Sequence, residues 1–170
     1  MSEPVLRKRQ PPTFRFVAGP RPAFVPKVRT PSPPISSITD NLFLGNIEGF
    51  NDSVLSEHKI THIVSLFSDG SKQSIVPEDN VLSIQMLDDP GQPVKHVEAL
   101  AVPFIKKAID EGGNVFVHCQ AGISRSATIV ALFLMRHMGM TCDEALDFIR
   151  EKRHVDVNIG FYAHLACWKP

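Results

Sequence analysis

The 170-residue chain predicts an α/β fold, a central mostly parallel or mixed sheet flanked by helices, and three observations carry that reading. Three β-compatible runs, ITHIVSL, VLSIQML and NVFVHC, occupy the middle of the chain, and a helix-length segment ending at Gly112 and Gly113 separates the last two. The third run is followed by ATIVALFLMRHM, apolar nearly all round, as expected of a helix through the centre of a core. Strand, helix and strand in that order are the ingredients of a right-handed parallel crossover, which buries both faces of its sheet.

Taken in order, the chain opens with a segment that cannot join such a fold. Nine of its fourteen prolines fall in residues 1–34, in runs such as RQPPTF and RTPSPP, and this density blocks helices and central strands. Residues 1–34 therefore read as a proline-rich basic extension and residues 35–170 as the folded domain. Phe14, Phe16, Phe24 and Val25 are too apolar for a purely solvating tail, so a docking role on the domain or a partner stays open beside the flexible-leader reading. Thr30 and Ser32 each precede a proline and are candidate phosphorylation sites.

ITDNLFLGN predicts a short first strand ending at Gly45, and Asn51 to Ser53 offer caps for a short helix with Val54 and Leu55 inward. Between the second and third β-runs, Val97, Leu100, Ala101, Phe104, Ile105 and Ala108 recur at helical spacing. Thr141 and Glu144 fit a capping box, so a further helix begins there and buries Ala145, Leu146 and Ile149. A last short helix runs from Ile159 through Leu165 and Trp168. No internal repeat is present.

The formal charge is zero, but residues before Ile35 carry seven Lys or Arg and one Glu, while the rest carries eleven against seventeen. An acidic folded domain argues against a broad nucleic-acid surface. The three cysteines, Cys119, Cys142 and Cys167, are odd in number and form no CxxC pair, so neither a disulfide scaffold nor a zinc site is expected; Cys142 and Cys167 read as small buried hydrophobes. Without an early apolar run or a long apolar stretch, no signal peptide or membrane span is expected, and a reducing compartment, cytoplasm or nucleus, follows.

The chemistry sits at VHCQAGISRS. A strand ending at His118 and a helix starting near Ser126 place Cys119 at the carboxyl edge of the sheet, facing a helix N-terminus. Backbone donors from Gln120, Ala121, Gly122, Ile123, Ser124 and Arg125 can curl round a tetrahedral dianion, with Gly122 relaxing the turn. The same positive surroundings, with a hydrogen bond from Ser126, favour the thiolate as nucleophile. Arg125 adds a planar fork that grips two phosphate oxygens and follows them through a trigonal bipyramid, which lysine does not. The nucleotide-binding GxxxxGK pattern is absent. His118, one step before the nucleophile on a strand, points away from it and reads as a support that hydrogen-bonds the loop carbonyls. Asn158 reads as a helix cap before IGFYAHL.

HCQAGISRS carries the HCxxGxSRS signature, and the domain resembles a small atypical dual-specificity phosphatase of the cysteine-based protein tyrosine phosphatase superfamily. The resemblance runs from Ile38 to Leu165 and includes LFLG at Leu42 to Gly45, ALFLM at Ala131 to Met135 and NIGF at Asn158 to Phe161. The stretch EKRHVDV departs from it by lacking the prolines common there. The resemblance implies Cys119 as nucleophile, Arg125 as phosphate clamp, Ser126 as the hydroxyl that eases thiolate departure, and Asn158 as a brace for the phosphate loop. It also favours Asp88 over Asp89 in QMLDDPGQP as general acid, leaving Asp89 to cap the turn.

The implied reaction has two displacements. Cys119 attacks phosphorus while the acid protonates the leaving oxygen; water then releases the cysteinyl-phosphate, and neither metal nor cofactor is required. The uncharged loop residues Gln120, Ala121 and Ile123, set beside the family, imply a phosphorylated protein substrate, and no extra phosphotyrosine-recognition segment is seen, so a cleft accepting phosphotyrosine and phosphoserine or phosphothreonine is expected. The rivals are a phosphatase for RNA 5′ phosphates or another small phosphorylated compound, and a phosphate-binding module without turnover.

Overall fold

The computed structural model describes residues 32–169. The expectations placed on Phe14, Phe16, Phe24, Val25 and Thr30 lie outside the described residues.

One sheet contains β1 (Ile35–Ser37), β2 (Leu42–Gly45), β3 (His62–Ser65), β4 (Val81–Ser83) and β5 (Val115–His118), in the order β1-β2-β5-β3-β4. β1 is antiparallel to β2 and every other pairing is parallel, so the sheet is mixed with a parallel majority, as the sequence predicts. β5 lies between β2 and β3, with His118 paired to Gly45 on one side and Ser65 on the other. The residue after it, Cys119, therefore leaves the middle of the sheet at its carboxyl edge, where open α/β folds place their ligands.

Alternation along β5 divides the core. Val115 and Val117 join Leu42, Leu44 and Val64 under the helices α2 (Lys95–Asp110), α3 (Arg125–Met138), α4 (Cys142–Arg150) and α5 (Ile159–Ala166). Phe116 points the other way, into a smaller cluster with Phe43, Ile63, Leu55, Ile60, Ile35 and Val76, closed by the short helix α1 (Asp52–Glu57). Asn51 caps α1 by accepting from the Val54 amide at 3.1 Å, and Thr141 and Glu144 form the expected capping box on α4. In α3 every residue from Arg125 to Met135 is buried, which is why its sequence is apolar nearly all round.

Local readings need correction in four places. The first β-region is two strands rather than one, because ISS pairs back on LFLG across a tight turn. β4 stops at Ser83, so Asp88 is not at the strand's end; Ile84 still bonds Ser65 through its amide, but Leu87 is 62% exposed and the chain has already left the sheet. In α2 the buried stripe is Val97, Glu98, Ala101, Val102, Ile105 and Ala108, and Leu100 is 43% exposed, since the helix rolls toward the Glu98 side. Finally α5 ends at Ala166, leaving the half-buried Trp168 beyond it.

Candidate active site

The loop from Cys119 to Ser124 joins β5 to α3, and its carbonyls face outward. Gln120 O accepts from the Ile47 amide (3.1 Å), Ile123 O from the Asp156 amide (3.2 Å) and Gly122 O from Arg153 Nε (2.9 Å). Ser124 O accepts both the Thr128 amide and its hydroxyl at 2.9 Å. With the carbonyls committed to the outside, the amides are left for the concave side, where the unpaired N–H groups of the first turn of α3 also lie. Gly122 holds φ at +66°, and a Cβ there would meet the Gly45 carbonyl at 2.5 Å, so only glycine fits.

Cys119 is buried at the bottom of this loop. Its Sγ accepts from the Gly122 amide at 3.3 Å and lies 3.2 Å from Ser126 Oγ. Arg125 turns back over the site: Nη1 donates to Met86 O at 3.0 Å and the guanidinium lies 5.4 Å from the Phe67 ring centre. Its buried Nε has no hydrogen-bond partner among the described residues. A tetrahedral oxyanion above Cys119 supplies the acceptor that such a donor lacks.

Asp88 is brought to this edge by residues far away in sequence. Its Oδ1 accepts from Ser124 Oγ and from Asn158 Nδ2, both at 2.8 Å, and its Oδ2 lies 3.7 Å from Arg125 Nε. Because Oδ1 already receives two donors, Oδ2 is the oxygen left to carry a proton toward the site. Asp89 faces the turn instead, accepting from the Gly91 amide at 2.7 Å. Asn158 is also the cap of α5, its Oδ1 accepting from the Phe161 amide at 3.0 Å, and its own amide donates to Ser124 Oγ at 3.3 Å. One residue thus joins helix, acid and phosphate loop.

His118 is fully buried, stacked 4.9 Å from Phe50 and 5.2 Å from Phe116. Neither ring nitrogen makes a well-formed hydrogen bond among the described residues, and the expected support of the loop carbonyls shrinks to the nearby Cys119 backbone, because strand alternation turns the ring into the apolar cluster beneath the loop. Burial, partly opposed by the Cys119 backbone and Asp69, lowers its pKa from 6.5 to about 4, and the imidazole is neutral.

Arg153 was not legible. It is buried behind the loop, with Nε on Gly122 O and Nη1 on Pro33 O (2.5 Å) and Ser36 Oγ (3.3 Å). Burial lowers its pKa and the nearby Cys119 opposes that shift. In the sequence it follows Arg150 and Lys152 at a helix end, where a base ordinarily reads as a solvated partner of the helix dipole. Gly160 was missed too, although a Cβ there would meet Pro90 O at 1.9 Å. Of the other cysteines, Cys142 is half-buried and Cys167 exposed, so the expectation of burial fails for Cys167, which lies past the last helix. Among the described residues no group of three His, Cys, Asp or Glu side chains is placed to hold a metal, and no helix is long and apolar enough to cross a membrane.

This geometry can be set beside known proteins. The family model for the dual specificity phosphatase catalytic domain matches residues 42–170. The mouse dual specificity protein phosphatase 15 is 36% identical over 133 residues, covering 77% of this chain and 56% of that protein, so the chain spans about half the length of this curated relative. The crystal structure of human tyrosine phosphatase-like serine/threonine/tyrosine-interacting protein is similar with a TM-score of 0.71 and 29% identity, covering 77% of this chain and 92% of the other. A mouse putative dual specificity phosphatase complexed with zinc tungstate also has a TM-score of 0.71, with 27% identity over 85% of this chain and 90% of that one. With that family model matching residues 42–170, the greater part of the chain and the part that holds the cysteine loop, the chain belongs to the dual-specificity phosphatases of the cysteine-based protein tyrosine phosphatase superfamily.

Proposed function

We propose that this chain hydrolyses phosphate monoesters on phosphoproteins, at phosphotyrosine and at phosphoserine or phosphothreonine, through a cysteinyl-phosphate intermediate. The observation that carries this reading is that one short loop holds Cys119 Sγ against the Gly122 amide and leads into Arg125, whose Nε has no hydrogen-bond partner among the described residues and lies 3.7 Å from Asp88 Oδ2. The Cys119 thiolate attacks phosphorus, forming the S–P bond as the P–O bond breaks, and Asp88 delivers its Oδ2 proton to the leaving oxygen. Water then attacks phosphorus, the S–P bond breaks, and the Asp88 carboxylate takes the water proton. Ser126 Oγ, 3.2 Å from the sulfur, stabilises the thiolate that departs in this second step. Arg125 and the loop amides hold the equatorial oxygens throughout.

A similar fold is carried by a protein named as tyrosine phosphatase-like and as serine/threonine/tyrosine-interacting, so turnover here rests on these side chains rather than on architecture. The mouse putative dual specificity phosphatase of similar fold is complexed with zinc tungstate, which is in keeping with a fold that binds tetrahedral oxyanions. Three free thiols suit a reducing compartment, cytoplasm or nucleus.

Asp88→Asn and Asp89→Asn test substrate and acid together. On a phosphothreonine peptide Asp88→Asn is expected to lose about 10²-fold or more in kcat, and less on an aryl phosphate with a good leaving group, because an alkoxide needs the proton more. Asp89→Asn stays within about threefold, its loss being confined to the turn. Leaving-group dependence in Asp89→Asn would reverse the assignment. Wild-type protein that ignores phosphopeptides but releases phosphate from an RNA 5′ end would overturn the phosphoprotein reading.

A further inference from the structure

The segment that carries Asp88 is tied to the segment that carries Asn158 at two places. The first tie is the Asn158 Nδ2 bond to Asp88 Oδ1. The second lies deeper in the fold: Glu98 Oε1 accepts from Trp168 Nε1 at 2.6 Å, and Glu98 Oε2 lies 3.1 Å from His164 Nε2. The bonds Asp88–Asn158 and Glu98–Trp168 thus join the two stretches near their opposite ends. Between the ties Pro90 rests on Gly160, where no side chain fits. The acid loop, the first turn of α2, the Glu98 cluster, α5 and Asn158 thus close a ring on Asp88.

This ring needs its second tie. α5 is short, its first residue Ile159 is 73% exposed, and within it only Phe161 and Leu165 are buried. Two apolar anchors and the hydroxyl of Tyr162, which donates to Asp143 Oδ1 on α4 at 3.0 Å, hold the middle of the helix, and leave its far end and the residues past it to be fixed. Glu98 supplies the missing constraint, and it is costly to leave unpartnered: the residue is 9% exposed, and a carboxylate so placed requires donors. The indole and imidazole that meet it come from the last turn of α5 and the residues just past it, the end opposite Asn158. Nothing in this cluster touches the reacting atoms.

We infer that Glu98, His164 and Trp168 form a positioning clamp for the general acid, setting α5 so that Asn158 holds Asp88 Oδ2 toward the leaving oxygen. The inference rests on the assignment of Asp88 as acid. It predicts that loosening the clamp impairs proton delivery more than phosphate capture, since the loop round Cys119 touches Asn158 only through the Ser124 side chain while Ile47, Asp156 and Arg153 hold its backbone.

The test is a series of aryl phosphates of increasing leaving-group pKa, with kcat and KM measured for wild type, Glu98→Leu, Glu98→Gln, Trp168→Phe, Asp88→Asn and the double variant Glu98→Leu/Asp88→Asn, well below each melting temperature. Glu98→Leu keeps the buried volume but removes the acceptor. It is expected to lose about tenfold in kcat on the poorest leaving group and less than about twofold on the best, with KM nearly constant. Glu98→Gln, which still accepts from the indole, recovers part of the loss. Trp168→Phe, the mildest change, gives about a threefold loss with the same leaving-group trend. In the double variant the Glu98→Leu effect vanishes on the poor leaving group, because the proton donor is already gone. Equal losses across the series, or full additivity in the double variant, would reduce the clamp to ordinary structural support and overturn the inference. Absence of leaving-group dependence in Asp88→Asn itself would instead remove Asp88 as the acid, and the clamp's role with it.

Discussion

The phosphate loop and the acid loop meet at one point but are built in opposite ways. From Cys119 to Arg125 the phosphate loop is contiguous, with a glycine at positive φ and a helix entered at Arg125 that its own residues encode, and distant residues, Ile47, Arg153 and Asp156, serve only to hold its outward carbonyls from behind. The acid loop at Asp88 to Gly91 is exposed, and its shape comes from elsewhere, from Ser124 at a separation of 36 residues and Asn158 at 70. A nucleophile inside an anion cradle requires one local geometry that the chain can encode in a few consecutive residues. An acid must reach a leaving group from the side, so its orientation is borrowed from whichever elements the fold brings near.

The sharpest break between the two regions is expected from Cys119→Ser. Turnover of an aryl phosphate falls by about 10⁴-fold or more, because an alcohol in this cradle is a poor nucleophile and no neighbouring base activates it: His118 faces away. Oxyanion binding survives, since the amides and Arg125 remain. Calorimetric titration with tungstate checks this; loss of binding in step with turnover would mean that the sulfur, rather than the loop, organises the cradle.

This contrast also explains what the sequence discloses. The strand–loop–helix order, the parallel majority of the sheet, the caps at Asn51 and Thr141 and the cysteine loop itself all rest on neighbouring residues, and periodicity or turn chemistry exposes them. Arg153, Gly160 and Glu98 rest on contacts with residues distant in sequence, and each reads locally as something ordinary: a base at a helix end, a small residue in a short helix, an acid in a helical first turn. His118 fails for a related reason. Alternation put it on the correct face, but the aromatic company waiting there, Phe50, comes from a loop that pattern alone does not bring near. β1 was missed because three residues with two serines carry no alternation to read.

Glycine substitutions sharpen the comparison at smaller amplitude. In Gly122→Ala the new methyl would sit 2.5 Å from the Gly45 carbonyl at a φ of +66° that L-residues resist, so a loss of about 2 kcal/mol or more in stability and a substantial loss of activity are expected. In Gly91→Ala, on the acid loop, the nearest contact is Asp89 Oδ1 at 3.1 Å and no positive φ is required. Activity and melting temperature there should stay within about twofold and a few degrees. Similar losses at both sites, measured by urea unfolding and aryl phosphate hydrolysis, would show that the acid loop is as tightly determined as the phosphate loop.

The smallest effect concerns the underside of the phosphate loop, where a titratable ring takes an apolar place. Burial holds His118 near 4, against 6.5 in the unfolded chain. Between those values the unfolded state binds more protons than the folded one, so stability falls as pH drops from 6.5 toward 4, and above 6.5 the group contributes nothing to pH dependence. From pH 7.5 to 5 this one residue should remove about 2 kcal/mol of stability. His118→Phe keeps a flat ring between Phe50 and Phe116 and cannot titrate, so its unfolding free energy should fall less over that interval, by roughly that amount. Urea titrations at the two pH values measure both slopes. Equal slopes in wild type and variant would mean that the imidazole finds a proton acceptor in the folded loop, and the support role first read from the sequence would be restored.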